Sequence, residues 1–158
     1  MLESEQRQFI EERRTATLAT ISRGSQPRLV PICFVLADPD PADPRAVLYS
    51  PLDEKPKRGA DVRELARVRD ITARPEVTLL FDRWSEDWSR LAWLRARGAA
   101  SLVEPHEDPR AHAAAVDALR AKYPQYREHA IDTLPMIRVV IAEVLSWSAT
   151  GRLSDDQV

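Results

Sequence analysis

The chain has 158 residues, enough for one domain with a real core and too few for two ordinary ones. Hydrophobic residues make up 44% and charged residues 30%, the balance of a soluble globular fold, and a net charge of −2 provides no global field toward nucleic acid or anionic lipid. Its one cysteine, Cys33, excludes a disulfide framework and a cysteine-rich zinc site.

The amino terminus, MLESEQRQFIEERR, is charged and lacks the apolar core of a secretory signal. No stretch approaches the ~18 apolar residues of a membrane-spanning helix, so a cytoplasmic location away from membranes is the expectation. Residues 2–13 predict a helix, with Leu2, Phe9, Ile10 and Arg13 at helical spacing. The β-prone run 15–21, TATLATI, comes next, followed by the turn chemistry of Gly24-Ser25-Gln26-Pro27 and a second apolar run from Leu29 to Leu36. The pair predicts two strands joined as a hairpin. Pro31 cannot donate a ladder bond, so it predicts a sheet edge or a bulge in the second strand.

Residues 38–45, DPDPADPR, read as an acidic, proline-rich loop, and 46–50 as a short third strand. The segment 51–60, PLDEKPKRGA, is a loop, and 61–73 reads as a helix with Val62, Leu65, Ala66 and Val68 on one side. The near-continuous apolar run Val77–Phe81 predicts a strand buried on both faces. A polar turn holding Trp84 and Trp88 follows, then a strand over 91–103 with a bend at Gly98. Asp108-Pro109 opens a helix, as an N-cap acid before a first-position proline, and the helix runs to Lys122 before Pro124. Met136 to Trp147 alternates as a last long strand, and the tail 151–158 is polar. The expected fold is mainly β with peripheral helices, an α+β chain whose six strands form an antiparallel barrel over residues 1–150.

Lys55, Lys57 and Lys122 are the lysines of a chain that otherwise uses arginine. Two of them, with Arg58, fall in the loop before the 61–73 helix. Movable ammonium groups beside free backbone N–H groups suit a phosphate. A solvated loop balanced by Asp53 and Glu54 has the same composition. The three histidines, at 106, 112 and 129, lack the spacing and companions of a metal set. No G-x-S-x-G, H-E-x-x-H, Walker or G-x-G-x-x-G motif is present, so nothing predicts a protein nucleophile. Cys33 has no histidine nearby in sequence and reads as a small buried hydrophobe.

The ordered set TATLAT, the G-x-x-P turn at Gly24–Pro27, RLVPICFV, a strand ending Leu48-Tyr49-Ser50, the PLDEKPKR loop, and RPEVTLL from Arg74 resembles the pyridoxamine 5'-phosphate oxidase-like family. The segment PLDEKPKR, 51–58, followed by the segment from Arg63 to Gly98, is similar to its probable coenzyme F420-dependent branch. The resemblance covers residues 8–150. It implies a six-stranded split β-barrel and a homodimer with two cofactor sites, each built from both chains. It implies an oxidoreductase using coenzyme F420, or FMN, on a small organic substrate. A non-catalytic module that stores or senses such a ligand is the alternative, since fold does not decide chemistry. The family's vitamin-salvage oxidases end in Arg-Leu-Ala-Pro, whereas this chain ends Gly151-Arg-Leu-Ser-Asp-Asp-Gln-Val158, which argues against that oxidation.

The resemblance also assigns residues. Arg28 would reach the cofactor phosphate or ring edge, although an arginine at a hairpin base can also be plain surface. Val30, Pro31 and Ile32 would offer backbone groups to the ring, and Ser50 closes the third strand at the same site. Lys55 and Lys57 would meet the phosphate, with Arg67 as rival or companion to Lys57. Arg69 reads as an exposed helix arginine. Trp88 would wall the cofactor of the partner chain, and Trp147 would lie beside it. Packing is the competing role for both tryptophans, and the stronger one for Trp93.

Overall fold

The computed structural model describes residues 2–52 and 61–153. Three helices flank one antiparallel sheet: α1 (Ser4–Glu12), α2 (Ala66–Ala73) and α3 (Pro109–Lys122). The strands are β1 (Ala16–Ile21), β2 (Pro27–Ile32), β3 (Val35–Leu36), β4 (Val47–Pro51), β5 (Glu76–Arg83), β6 (Ala92–Val103) and β7 (Met136–Ser148). Their order across the sheet is β2-β1-β5-β6-β7-β4-β3. The sheet curls, and its two edges, β2 and β3, are consecutive in the chain. That closure without edge-to-edge pairing is a split barrel, as expected.

The strand count is seven rather than six. The run Leu29–Leu36 is interrupted at Cys33-Phe34, so its first part pairs with β1 and its second with β4. Phe34 is fully buried at this corner. Its N–H donates to the Tyr123 hydroxyl at 3.1 Å, which satisfies a backbone group taken out of the ladder. Pro31 lies on edge strand β2, where a missing N–H costs least.

Alternation sets the core. Ala16, Leu18 and Thr20 of β1, Val77, Leu79 and Phe81 of β5, and Leu94 and Ala96 of β6 point inward and are buried with Phe9 and Ile10 of α1. The Val77–Phe81 run is therefore buried on one face, not two, because Leu80 points outward and is exposed. The outer face is covered by α3 at β3, β4 and the start of β7, and Leu80 stands away from that cover. A second cluster joins Ala115, Val116 and Leu119 of α3 to Val35, Tyr49 and Met136, with half-buried Cys33 against it.

Local signals account for the helix ends. Asp108 accepts from the Ala111 N–H at 3.1 Å and Pro109 takes the first helical position of α3. The predicted 61–73 helix is divided. A short 3-10 turn, Val62–Glu64, precedes α2, and extended Leu65 separates the two. Ser25, rather than Gly24, takes the left-handed conformation in the β1–β2 turn, at φ 60°.

The expected bend at Gly98 is a change of register. Arg97 pairs with Glu143 but Gly98 pairs with Ile141, so Ala142 is an extra residue on β7. The bulge changes the phase of β7. Val139 and Ile141 face the core, whereas beyond Ala142 the odd positions Leu145 and Trp147 face out and are exposed. Gly98 is required there, since a Cβ would fall 2.2 Å from the Val140 carbonyl oxygen.

Candidate functional site

β2 supplies the inner and outer halves of one edge. Arg28, Val30 and Ile32 sit opposite Thr20, Leu18 and Ala16, and so share the inward face. Ile32 is buried and Val30 packs against the core. Leu29 and Pro31 face outward and are exposed. Pro31 has no N–H, so its pair with Thr17 cannot be a hydrogen-bonded one. Ladder alternation then directs the backbone groups of Val30 and Ile32 to β1, and those of Leu29 and Pro31 to the open edge. The groups available to a ligand along this edge belong to Leu29 and Pro31.

Arg28 is held from below. Its Nε donates to Asp70 Oδ2 at 2.8 Å, and the same oxygen accepts from Thr20 Oγ1 at 2.9 Å. Thr20 and Arg28 are cross-strand neighbours, while Asp70 comes from the buried side of α2, between Val68 and Ile71. Asp70 is 5% exposed. Burial alone would raise its carboxyl. The hydrogen bonds from Arg28 and Thr20, with the charges of Arg28 and Arg69, outweigh that and hold it below the ordinary carboxylate value. The Arg28 side chain remains 45% exposed, and among the described residues its two terminal nitrogens have no partner. Sequence reading missed Asp70 and Thr20. The available signal was an acid on the apolar side of a short helix.

The same end of the barrel collects other predicted residues. Ser50 pairs with Ile137 and lies on the face of Leu48, inside the barrel, at 2% exposure. Arg67 is half-buried in the first turn of α2. Lys55, Lys57 and Arg58 lie outside the described residues. Arg69 is exposed, as expected. Arg63, ahead of α2, is engaged by two acids. Its Nε and Nη2 clasp Glu104 at 2.7 and 2.8 Å and its Nη1 reaches Asp61 at 3.1 Å, which raises the guanidinium and lowers Glu104, while Asp61 is lowered chiefly by the Arg63 backbone N–H at 2.9 Å.

The tryptophans lie at the other end. Trp88 is 75% exposed in the 3-10 turn between β5 and β6, with Trp84 nearby and also exposed. Trp147 is opposite half-buried Trp93. Trp147 borders a groove of 310 Å³ against α1, but Glu3 and Glu5 line it and suit no phosphate. Arg28 sits at the level of Val77 on β5 and Trp147 at the level of Asp82, roughly 17 Å apart along the strand at about 3.4 Å per residue. They are also on strands separated by β1, β5 and β6. One chain does not bring the two halves of the predicted site together. Between them the outer face of the sheet carries Leu29, Pro31, Leu80, Leu145 and Trp147, with Arg95 in the middle row and exposed Asp82 and the ion-paired Arg97 and Glu143 in the rows beside it.

A curled antiparallel sheet whose two edge strands, β2 and β3, stay unpaired with each other defines a split barrel. The chain belongs to the family described as pyridoxamine 5'-phosphate oxidase, whose sequence profile matches residues 2–148. No curated protein matches the chain. Solved structures share the fold. The conserved hypothetical protein Rv2991 of Mycobacterium tuberculosis is 20% identical, with a TM-score of 0.69 over 94% of this chain and 86% of that one. HutZ, the heme storage protein of Vibrio cholerae, is 16% identical, with a TM-score of 0.63 over 93% and 94%. An F420 reductase is 17% identical, with a TM-score of 0.62 over 92% and 98%. At such identities the likeness extends to the fold alone. Among the described residues no three His, Cys, Asp or Glu groups could hold a metal ion, and no helix is long and apolar enough to cross a membrane.

Proposed function

We propose that the chain is an oxidoreductase that binds coenzyme F420, or alternatively FMN, at sites shared between two copies of itself, and acts on a small organic substrate in the cytoplasm. The observation that carries this reading is the separation of the two half-sites. Among the described residues Arg28 offers free terminal nitrogens at one end of the sheet, the exposed tryptophans stand at the other, and between them lies an exposed face bearing Leu29, Leu80, Leu145 and Trp147 beside Arg95 and the Arg97–Glu143 pair. A two-fold partner packed on that face would bring its own Trp88 and Trp147 toward Arg28. A phosphate-bearing planar cofactor fits such a site, with charge at one end and aromatic walls at the other.

When bound, the deazaflavin or flavin supplies hydride or electron transfer. The chain's own residues bind and orient. Arg28 anchors the phosphate, with Arg67, Lys55 and Lys57 as further cations at that end. The β2 edge places the ring through the Leu29 and Pro31 backbone groups. Trp88 and Trp147 cover it and exclude water. A second reading is a non-catalytic cofactor-binding module. It is favoured by the fold being shared about equally with an F420 reductase and a heme storage protein, at TM-scores of 0.62 and 0.63.

The test is the absorbance spectrum of the purified protein, then titration with F420 and FMN, then reduction and reoxidation against a panel of acceptors. Micromolar binding with turnover is expected. Tight binding without turnover across the panel would establish the module instead. Binding of neither cofactor would remove both readings.

A further inference from the structure

Four arginines show what the neighbourhood of Arg28 is built to do. Arg63 and Arg45 each engage a carboxylate through Nε and Nη2 together, and Arg120 spends Nε and Nη2 on the carbonyls of Tyr126 and His129 and on Asp132. In each of them the Nε–Nη2 edge is occupied. Arg28 is engaged through Nε alone. Asp70 is fixed before it meets Arg28, because Thr20 Oγ1 donates to the same oxygen and α2 holds the carboxylate among buried residues. The bonds from Arg28 and Thr20 keep the carboxylate charged despite its burial, yet replacing a buried charged pair by apolar residues is often neutral, so stability alone gives weak grounds for the arrangement.

We propose that Asp70 is the positioning residue of the anion site, setting the direction of the Arg28 guanidinium so that its two terminal nitrogens form a fixed fork for the phosphate of the bound cofactor. The proposal rests on the reading of Arg28 as a phosphate contact. The chemistry favours a planar fork, which lysine cannot provide. A fork held by a neighbouring bond loses less side-chain freedom on binding than one that swings free.

The sign of the effect separates positioning from charge. Asp70 is an anion close to the site, so through-space electrostatics alone predicts that removing it strengthens binding of a phosphate. Positioning predicts the opposite. Affinities for FMN and F420 are measured by calorimetry on the full chain and on Arg28→Ala, Asp70→Ala, Asp70→Asn and the Arg28→Ala/Asp70→Ala double variant. Asp70→Ala is expected to weaken binding about tenfold. Asp70→Asn, which keeps an acceptor oxygen for Nε, is expected to recover part of the loss. In the Arg28→Ala background, Asp70→Ala is expected to change nothing, because its effect passes through Arg28. Equal or tighter binding by both Asp70 variants, with Arg28→Ala still weakened, overturns positioning and leaves the Arg28 reading standing. An equal loss from Asp70→Ala with and without Arg28 also overturns it, since the acid would then act through the fold. Unchanged affinity in Arg28→Ala removes the phosphate reading and the proposal with it. Should Asp70→Ala not fold, Thr20→Val frees the carboxylate. A severalfold loss present only with Arg28 supports positioning, and no loss overturns it.

Discussion

Tyr123 carries the corner that divides the second apolar run. Its hydroxyl accepts from the Phe34 N–H and lies 2.9 Å from the carbonyl oxygens of Arg14 and Phe34, one of which takes its single proton. Tyr123→Phe leaves the buried Phe34 N–H without an acceptor, and urea unfolding should show a loss of about 1–3 kcal/mol. Burial pushes the Tyr123 hydroxyl up to about 12, from an ordinary 10.0. Burial, then the charge of Arg14, brings the Lys122 ammonium down to about 8, from 10.5. Its Nζ sits 4.0 Å from the Phe34 ring centroid. The two shifts have opposite consequences. Between pH 8 and 10.5 the unfolded chain holds the Lys122 proton that the folded chain releases, so stability rises with pH. Between pH 10 and 12 the folded chain keeps the Tyr123 proton that the unfolded chain loses, so stability falls. Thermal unfolding across this range should show a rise that Lys122→Met abolishes and a fall that Tyr123→Phe abolishes. A profile identical in all three proteins would contradict both assignments.

At the scale of elements, the β6–β7 pair is the decisive one. The extra residue Ala142 moves Leu145 and Trp147 from the inward phase of Val139 and Ile141 to the outer face. Gly98 permits this, because the β7 backbone approaches where a side chain would stand. Gly98→Ala should force the strands apart at the bulge and cost about 1–3 kcal/mol, read as a lowered urea midpoint. Wild-type stability in that variant would show that the bulge relaxes freely. α3 depends on its cap in the ordinary way. Asp108→Ala should lose about 1 kcal/mol, measured by the same unfolding experiment, because the Ala111 N–H loses its acceptor.

For the whole molecule, the exposed Leu80, Leu145 and Trp147 on the outer face make the assembly state testable. Light scattering should give about twice the chain mass of 17.9 kDa. Leu145→Asp, at the middle of the face, should yield a monomer and abolish cofactor binding, although Leu145 is far from the Arg28 end. Trp88→Ala should weaken cofactor binding and leave the dimer mass unchanged. A clean monomer of the unaltered chain at micromolar concentration would sink the shared-site reading. Loss of the dimer in Trp88→Ala would make that tryptophan a packing residue.

Local chemistry was legible in the residues themselves. The strand periods, the edge position of Pro31, the Asp108-Pro109 helix start and the irregularity at Gly98 follow from backbone donors, side-chain volume and alternation, which act over a few residues. The family order of motifs then identified the barrel. Only the tertiary structure decided what those elements meet. The run Leu29–Leu36 carries no signal that it serves two edges of one sheet, because the break at Cys33-Phe34 is stabilised by Tyr123, far away in sequence. The period of Met136–Trp147 reads as one unbroken alternation, and the face of Trp147 is settled by a two-against-one pairing with β6. Asp70 reads as a helix acid until α2 is laid across the β1–β2 hairpin and its carboxylate meets Thr20 and Arg28. Each of these depends on contacts between distant segments, and those exist only once the chain has folded.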